Sequence, residues 1–157
     1  MTFTHLSSTG EARMVDVSDK ADTQRWARAE GVILMNSAAR VAIHDQALTK
    51  GDVFAVARVA GIMAAKRTAE LIPLCHPLAL TDVEVTLAED DSVGGIRVEA
   101  TARTTGKTGV EMEALTAVSV ALLTVYDMAK SIDRSMSITD VRLLEKGGGR
   151  SGIWRRA

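Results

Sequence analysis

Within LIPLCHPLAL, Leu71 to Leu80, the chain's single cysteine, Cys75, stands beside one of its three histidines, His76, and its only two prolines, Pro73 and Pro77, bracket them. A thiol next to an imidazole suits metal ligation, nucleophilic catalysis, or acid–base and ligand-binding work. Spacing weakens the first two. Zinc sites use three or four ligands, commonly in paired spacing such as C-x2-C. Here there is no second cysteine, and His5 and His44 lie in unrelated contexts, so no metal site is expected. A cysteine nucleophile needs a base facing it, and in an extended segment adjacent side chains point opposite ways. Two readings remain. One is a histidine held on a proline-stiffened loop, where it can donate to a phosphate or shuttle a proton; the other is a packed turn with a satisfied histidine.

Other candidates flank a long apolar run. TTGKTG, 104–109, resembles the end of a phosphate loop, but the glycine that motif requires at 101 is Thr101. A P-loop fold is therefore rejected, while Gly106 and Gly109 before a helix could still offer backbone amides to an anion. Glu111 and Glu113 open the run; Asp127 and Lys130 close it. An Asp–Lys pair at this spacing is ordinarily a surface ion pair. Glu113 and Asp127 would sit about 21 Å apart on a straight helix, so one small pocket in one subunit cannot use both through it. If both serve chemistry, the site is composite, with one end from each of two subunits. Lys50 lies in a turn before another helix, and Lys66 and Arg67 lie near that helix's end. They are either complements to the helix dipole or a basic pocket for a polyphosphate.

The elements that must position these groups follow from periodicity. The chain has 157 residues and a formal net charge of −1, which suits a single domain, 1–157, and argues against nucleic-acid binding by bulk charge. One cysteine suits a reducing compartment, the cytoplasm, and neither a signal sequence nor a membrane span is expected. Residues 1–29 read as an extended arm carrying Lys20, Arg25 and Arg28. GVILM, 31–35, reads as a strand, and Asn36 or Ser37 can cap a short helix through His44. Asp52 caps a helix that should run on toward Pro73. LTDVEVTLAE and GIRVEATART alternate as a hairpin with one wet face. A helix over 110–132, a strand over 135–145 and a flexible Gly-rich basic tail, 147–157, complete the chain. The order predicts an α+β fold, the ferredoxin-like plait: a four-stranded antiparallel sheet with two long helices on one face. Aromatics are only 3% of residues, and two wide apolar helical faces hint at oligomerisation.

Three stretches, KGDVFAVARVAGIMAAKRTAELIPLCHPLAL, GKTGVEMEALTAVSVALLTVYDMAKSID and GEARMVDVSDKADTQRWARAEG, closely resemble the cyclic pyranopterin monophosphate synthases, the molybdenum cofactor biosynthesis protein C family. The likeness spans about Gly10 to Gly152. It implies the same plait, assembled as a homohexamer, a trimer of dimers with sites at subunit interfaces. It implies a substrate of cyclised 7,8-dihydro-GTP, a cyclic pterin monophosphate as product, and release of diphosphate, without a cofactor. Whether magnesium accompanies the triphosphate is left open by the sequence. By position in the family's motifs, Asp127, Lys130 and Lys50 are the catalytic candidates. Leu74, Cys75, His76, Met112, Glu113 and Glu111 match substrate-binding segments. Lys20 and Arg25 match basic residues of an arm folded over the triphosphate, and Lys66 fits the basic pocket. His76 is expected to touch the ligand, and Cys75 to pack beside it rather than react.

Overall fold

The computed structural model describes Ser7 and residues 9–157; residues 1–6 and 8, and with them His5 and the first part of the expected arm, lie outside the described residues. The elements are β1 (Thr23–Leu34), α1 (Ser37–His44), α2 (Val53–Lys66), α3 (Thr68–Leu71), β2 (Leu80–Asp90), β3 (Gly95–Gly106), α4 (Glu111–Ala129), β4 (Ser137–Gly147) and β5 (Trp154–Arg155). The strands form one antiparallel sheet in the order β2-β3-β1-β4-β5, and α2 and α4 pack on it and on each other. This is the expected plait with one strand more than expected.

The helix starts are fixed as their sequences require. Asn36 Oδ1 accepts from the Ala39 amide at 2.9 Å and Asp52 Oδ1 from the Ala55 amide at 3.0 Å, each satisfying a first-turn donor. The expected single helix from Val53 toward Pro73 is instead broken at Arg67, whose φ of −110° and ψ of 14° leave the helical region. Thr68, buried just beyond, turns its hydroxyl back onto the Ala65 carbonyl at 2.9 Å, a side-chain bond that competes with the helix ladder.

Three further boundaries differ from the sequence reading. The central strand begins at Thr23, inside the stretch read as arm, because Ala27 and Ala29 face the helices while Trp26, Arg28 and Glu30 face away. Alanine is a poor strand signal, but between two hydrogen-bonded neighbours it needs only to fit. Helix α4 ends at Ala129 rather than 132, and buried Asp133 collects the Asn36 amide at 2.8 Å and the Ser135 amide and hydroxyl at 2.8 and 2.6 Å. The tail read as flexible is docked: Trp154 and Arg155 pair with Lys146 and Glu145 of β4.

The core is built from small residues. Ala27, Ala29, Ala100, Ala102, Ala114, Ala117 and Ala121 are buried, and a Cβ on Gly61 would come within 2.9 Å of the Ala117 carbonyl. Small side chains bring α2 and α4 close and rigidly together. Helix α4 is long and apolar enough to cross a membrane by composition, yet ten of its residues are buried against α2 and the sheet, as a core helix requires. The outer sheet face is ionic. Buried Glu30 accepts from Arg97 Nη1 and Arg142 Nε, each at 2.8 Å; burial pushes its carboxyl up, but the two guanidiniums outweigh that and hold it below its ordinary value.

Candidate active site

The helices α2 and α4 run antiparallel, so each end of the pair gathers its own side chains. At the start of α4 the LCHP loop closes against it. The Cys75 amide donates to the Ile72 carbonyl at 3.1 Å, making a turn at Pro73–Leu74 before β2 begins at Leu80. Because this is a turn and not a strand, Leu74, Cys75 and His76 all line one cavity of about 470 Å³, together with Lys20, Glu111, Met112 and Glu113.

Each of these groups has a defined state. His76 Nε2 donates to the Val15 carbonyl at 2.7 Å, which places the ring proton on Nε2 and ties the loop to the arm 61 residues earlier. Lys107 Nζ donates to the Ser18 carbonyl at 2.7 Å, a second tie on the same arm. Glu113 is only 4% exposed. Burial pushes its carboxyl up to about 7; its own backbone amide opposes this, and the Glu111 charge adds to it. Near neutral pH such a group carries its proton about half the time and can exchange it. Burial, and then the Glu113 charge, push the Cys75 thiol up, which disfavours the thiolate a nucleophile needs.

Arg25, on β1, does not point into that cavity but lines the adjoining one with Lys20 and Glu111. Its Nε and Nη2 donate to the Gly106 and Lys107 carbonyls at 3.0 and 3.1 Å, so it also holds the TGK turn in shape. A Cβ on Gly109 would meet the Glu111 carboxylate, the far end of a side chain that can turn aside. Lys66 lies on the far side of Glu113, lining a small cavity of about 120 Å³ with Arg67, Glu70 and Pro77.

The second cluster is at the other end of the helix pair. Lys50 Nζ donates to Asp127 Oδ2 at 2.7 Å and to the Asp127 carbonyl at 2.9 Å; Lys130 Nζ donates to Oδ1 at 2.6 Å. The two ammonium groups, Lys130 first, hold the Asp127 carboxyl down at about 2. All three side chains are about half exposed. Asp127, Lys130 and Lys50 are thus together, but not with His76 and Glu113. Among residues the sequence did not single out, Lys146 pairs with Glu111 at 2.5 Å, and Val15 and Val17 roof the main cavity. Neither had a local signal, since both depend on pairings across the fold.

An α+β plait with an exchangeable carboxyl, an imidazole and cations around one concave pocket defines a small-molecule enzyme of acid–base type, with a rim suited to anions. The MoaC family's sequence model matches residues 14–149. A protein of Methylobacterium sp. (strain 4-46) is 61% identical over 153 residues, covering 98% of this chain and 96% of that one. Proteins of Syntrophomonas wolfei (57% over 152 residues, 97% of each chain) and Chloroflexus aurantiacus (58% over 154 residues, 98% and 94%) are similarly close. All three relatives carry the name cyclic pyranopterin monophosphate synthase. The chain belongs to the MoaC family.

Proposed function

We propose that the chain converts (8S)-3′,8-cyclo-7,8-dihydroguanosine 5′-triphosphate to cyclic pyranopterin monophosphate, releasing diphosphate, in molybdenum cofactor synthesis. The observation that carries this reading is the single cavity where His76, Glu113, Glu111 and Lys20 converge in a chain of this family. Opening a purine ring and rebuilding a pterin requires several proton transfers. Glu113, with its carboxyl near 7, can both give and take a proton at neutral pH. His76 offers an Nε2 proton that the arm's Val15 carbonyl now accepts and that a ligand could accept instead. Leu74, Cys75 and Met112 supply the apolar part of the wall.

Closing the cyclic phosphate requires a sugar hydroxyl to attack the α-phosphorus while charge grows on the departing diphosphate. In this reading Asp127, Lys130 and Lys50 are the catalytic group. An ionised Asp127 fixes two ammonium groups side by side, a pair suited to bind phosphate oxygens or deliver a proton. Lys20 and Arg25 receive the triphosphate, and Lys66 backs Glu113. In this reading the chain carries no resident cofactor, and any magnesium would arrive with the triphosphate.

The site is completed by a second copy, Glu113 and His76 coming from one subunit and Asp127 from its neighbour, within a homohexamer built as a trimer of dimers. Exposed Val56, Val59 and Met63 on α2, at helical spacing, and Leu123 on α4 support an apolar surface for such contact. The single cysteine suits action in the cytoplasm, on a small molecule rather than on nucleic acid or membrane. The test supplies the cyclised triphosphate and follows diphosphate. Release that disappears in Asp127→Ala and Lys130→Ala supports the reading; tight binding by the intact protein without release would instead make it a nucleotide-binding module.

A further inference from the structure

Glu113 borders two cavities. It lines the main one, of about 470 Å³, beside Lys20, Cys75, His76 and Glu111, and it also lines the one of about 120 Å³ beside Lys66, Arg67 and Glu70. Leu78 is the other residue common to both, so these two residues stand between the cavities.

The small cavity is a product of the helix break at Arg67. There the chain leaves α2, the Glu70 amide donates to the Arg67 carbonyl at 3.0 Å, and the short α3 brings Glu70 to the wall it shares with Pro77 and Leu78. Thr68 commits its hydroxyl to the Ala65 carbonyl. Lys66, Arg67 and Glu70 are exposed, so this cavity meets solvent. Of the described charged side chains around it, the ammonium of Lys66 and the guanidinium of Arg67 only donate, whereas the Glu70 carboxyl can accept a proton and give it up again. A polar cavity of this size has room for several water molecules, each taking about 30 Å³.

The main cavity offers no such route once it is occupied. Val15 and Val17 roof it, and a ligand filling it lies between Glu113 and the opening. A reaction with several proton transfers requires that a group which has given up its proton be reset before the next step. An exit on the far side of Glu113 does this without passing the ligand.

We propose that Glu113 exchanges protons with solvent through the small cavity while substrate occupies the main one, and that Glu70 is the relaying carboxyl at its mouth. A proton leaving Glu113 crosses water to Glu70 and passes from there to bulk water or a buffer base. The reverse path restores the acid form of Glu113, and nothing is consumed. Glu70 does not line the main cavity, so it acts only through Glu113. This rests on the reaction proposed above and adds to it a route and a residue outside the cavity where the chemistry occurs.

Diphosphate release from the cyclised triphosphate, followed at rising imidazole concentration, tests it. Glu70→Gln is expected to lower kcat about tenfold with KM unchanged, less than the hundredfold or more lost with a group that meets the reacting atoms. Imidazole, which can carry the proton instead, should restore that rate and leave the parent's unchanged. Glu70→Asp should recover most of the loss. The limb of the pH–rate profile near 7 should stay in place in Glu70→Gln, because Glu113 keeps its burial. A merely structural role for Glu70 would give a loss that imidazole does not restore, and that result overturns the path. So does parent-like kcat in Glu70→Gln at every buffer concentration, which leaves the reaction standing. A parent chain that binds the cyclised triphosphate without releasing diphosphate sinks the reaction instead. The path is then read in that bound chain by pH jump, following the carboxyl C=O infrared band that Glu113→Gln removes. Slower proton release in Glu70→Gln keeps the path, and equal rates overturn it. A chain that does not bind the cyclised triphosphate overturns both.

Discussion

Replacing Glu113 by glutamine separates what this carboxyl costs the fold from what it does for the reaction. Burial raises it from 4.5 to about 7. Between those values the unfolded chain has released its proton and the folded chain has kept it, so stability falls as pH rises through that window and is flat above it. A shift of this size amounts to about 3 kcal/mol in full, with roughly 2.5 kcal/mol of it falling between about pH 5 and pH 8. Glutamine has nearly the same shape and no charge, so the variant should not show this decline. Urea unfolding at fixed protein concentration, for parent and variant at both ends of that range, reads the difference. The variant should gain on the parent as pH rises, while losing turnover and the limb of the pH–rate profile near neutrality. Parallel stability profiles for the two proteins would refute the assignment of a raised carboxyl to Glu113, and with it the proton-exchange role.

Four further outcomes are expected. Mixing Glu113→Ala and Asp127→Ala chains, each inactive alone, should restore activity at roughly a quarter of the sites if each site draws one residue from each of two copies; refolded mixtures with no activity would place both residues in one subunit's site. Glu30→Ala should destabilise by about 2 kcal/mol, because it leaves Arg97 and Arg142 facing each other across a buried gap. Because Glu30 is held below its ordinary value, its stabilisation is present above the unfolded pKa and lost as pH falls through the folded one, so the parent but not the variant should show this component in acid unfolding curves. Gly61→Ala should cost about 1–3 kcal/mol by thermal unfolding, since its Cβ would meet the Ala117 carbonyl, backbone that cannot swing aside. Cys75→Ala should keep most of the activity that His76→Ala loses, and equal losses in the two would reverse that ordering.

What could be read from the chain was what neighbours in sequence decide. Asn36 and Asp52 announce helix starts because a short polar side chain reaches the amide three residues on. The β2–β3 hairpin follows from strict alternation around DDSVGG. What stayed hidden depends on partners far along the chain. Thr23–Glu30 has the period of a strand, but its inward members are alanines, and only pairing with β3 and β4 on both sides makes it the sheet's centre. The break at Arg67 depends on Thr68 being buried, which no window of sequence states. The tail's glycines look like slack until Trp26, Gln24 and Arg25 are found beneath them. Likewise Leu74–His76, Met112 and Glu113 were legible as candidates through their motifs. Their meeting in one cavity, roofed by Val15 and Val17, was not.

The separation of the two chemical clusters is a consequence of the same small-residue core. Helices α2 and α4 lie antiparallel, so the residue before α2, Lys50, meets the end of α4 at Asp127, while the end of α2, Lys66, meets its start at Glu113. The two helices act as a ruler, and Glu113 and Asp127 stay about 21 Å apart for as long as α4 is straight. Gly61 and the alanines of both helices leave no room for sliding or bending between them. A side chain swings through only a few ångströms, so no rearrangement within one chain brings the Asp127 ion pair to the cavity where His76 and Glu113 face a ligand. A chain that needs both clusters in one reaction must therefore bring the second from another copy. In such an assembly the stiffness of the pair would be useful, because it would hold each half of a shared site in place before two copies met.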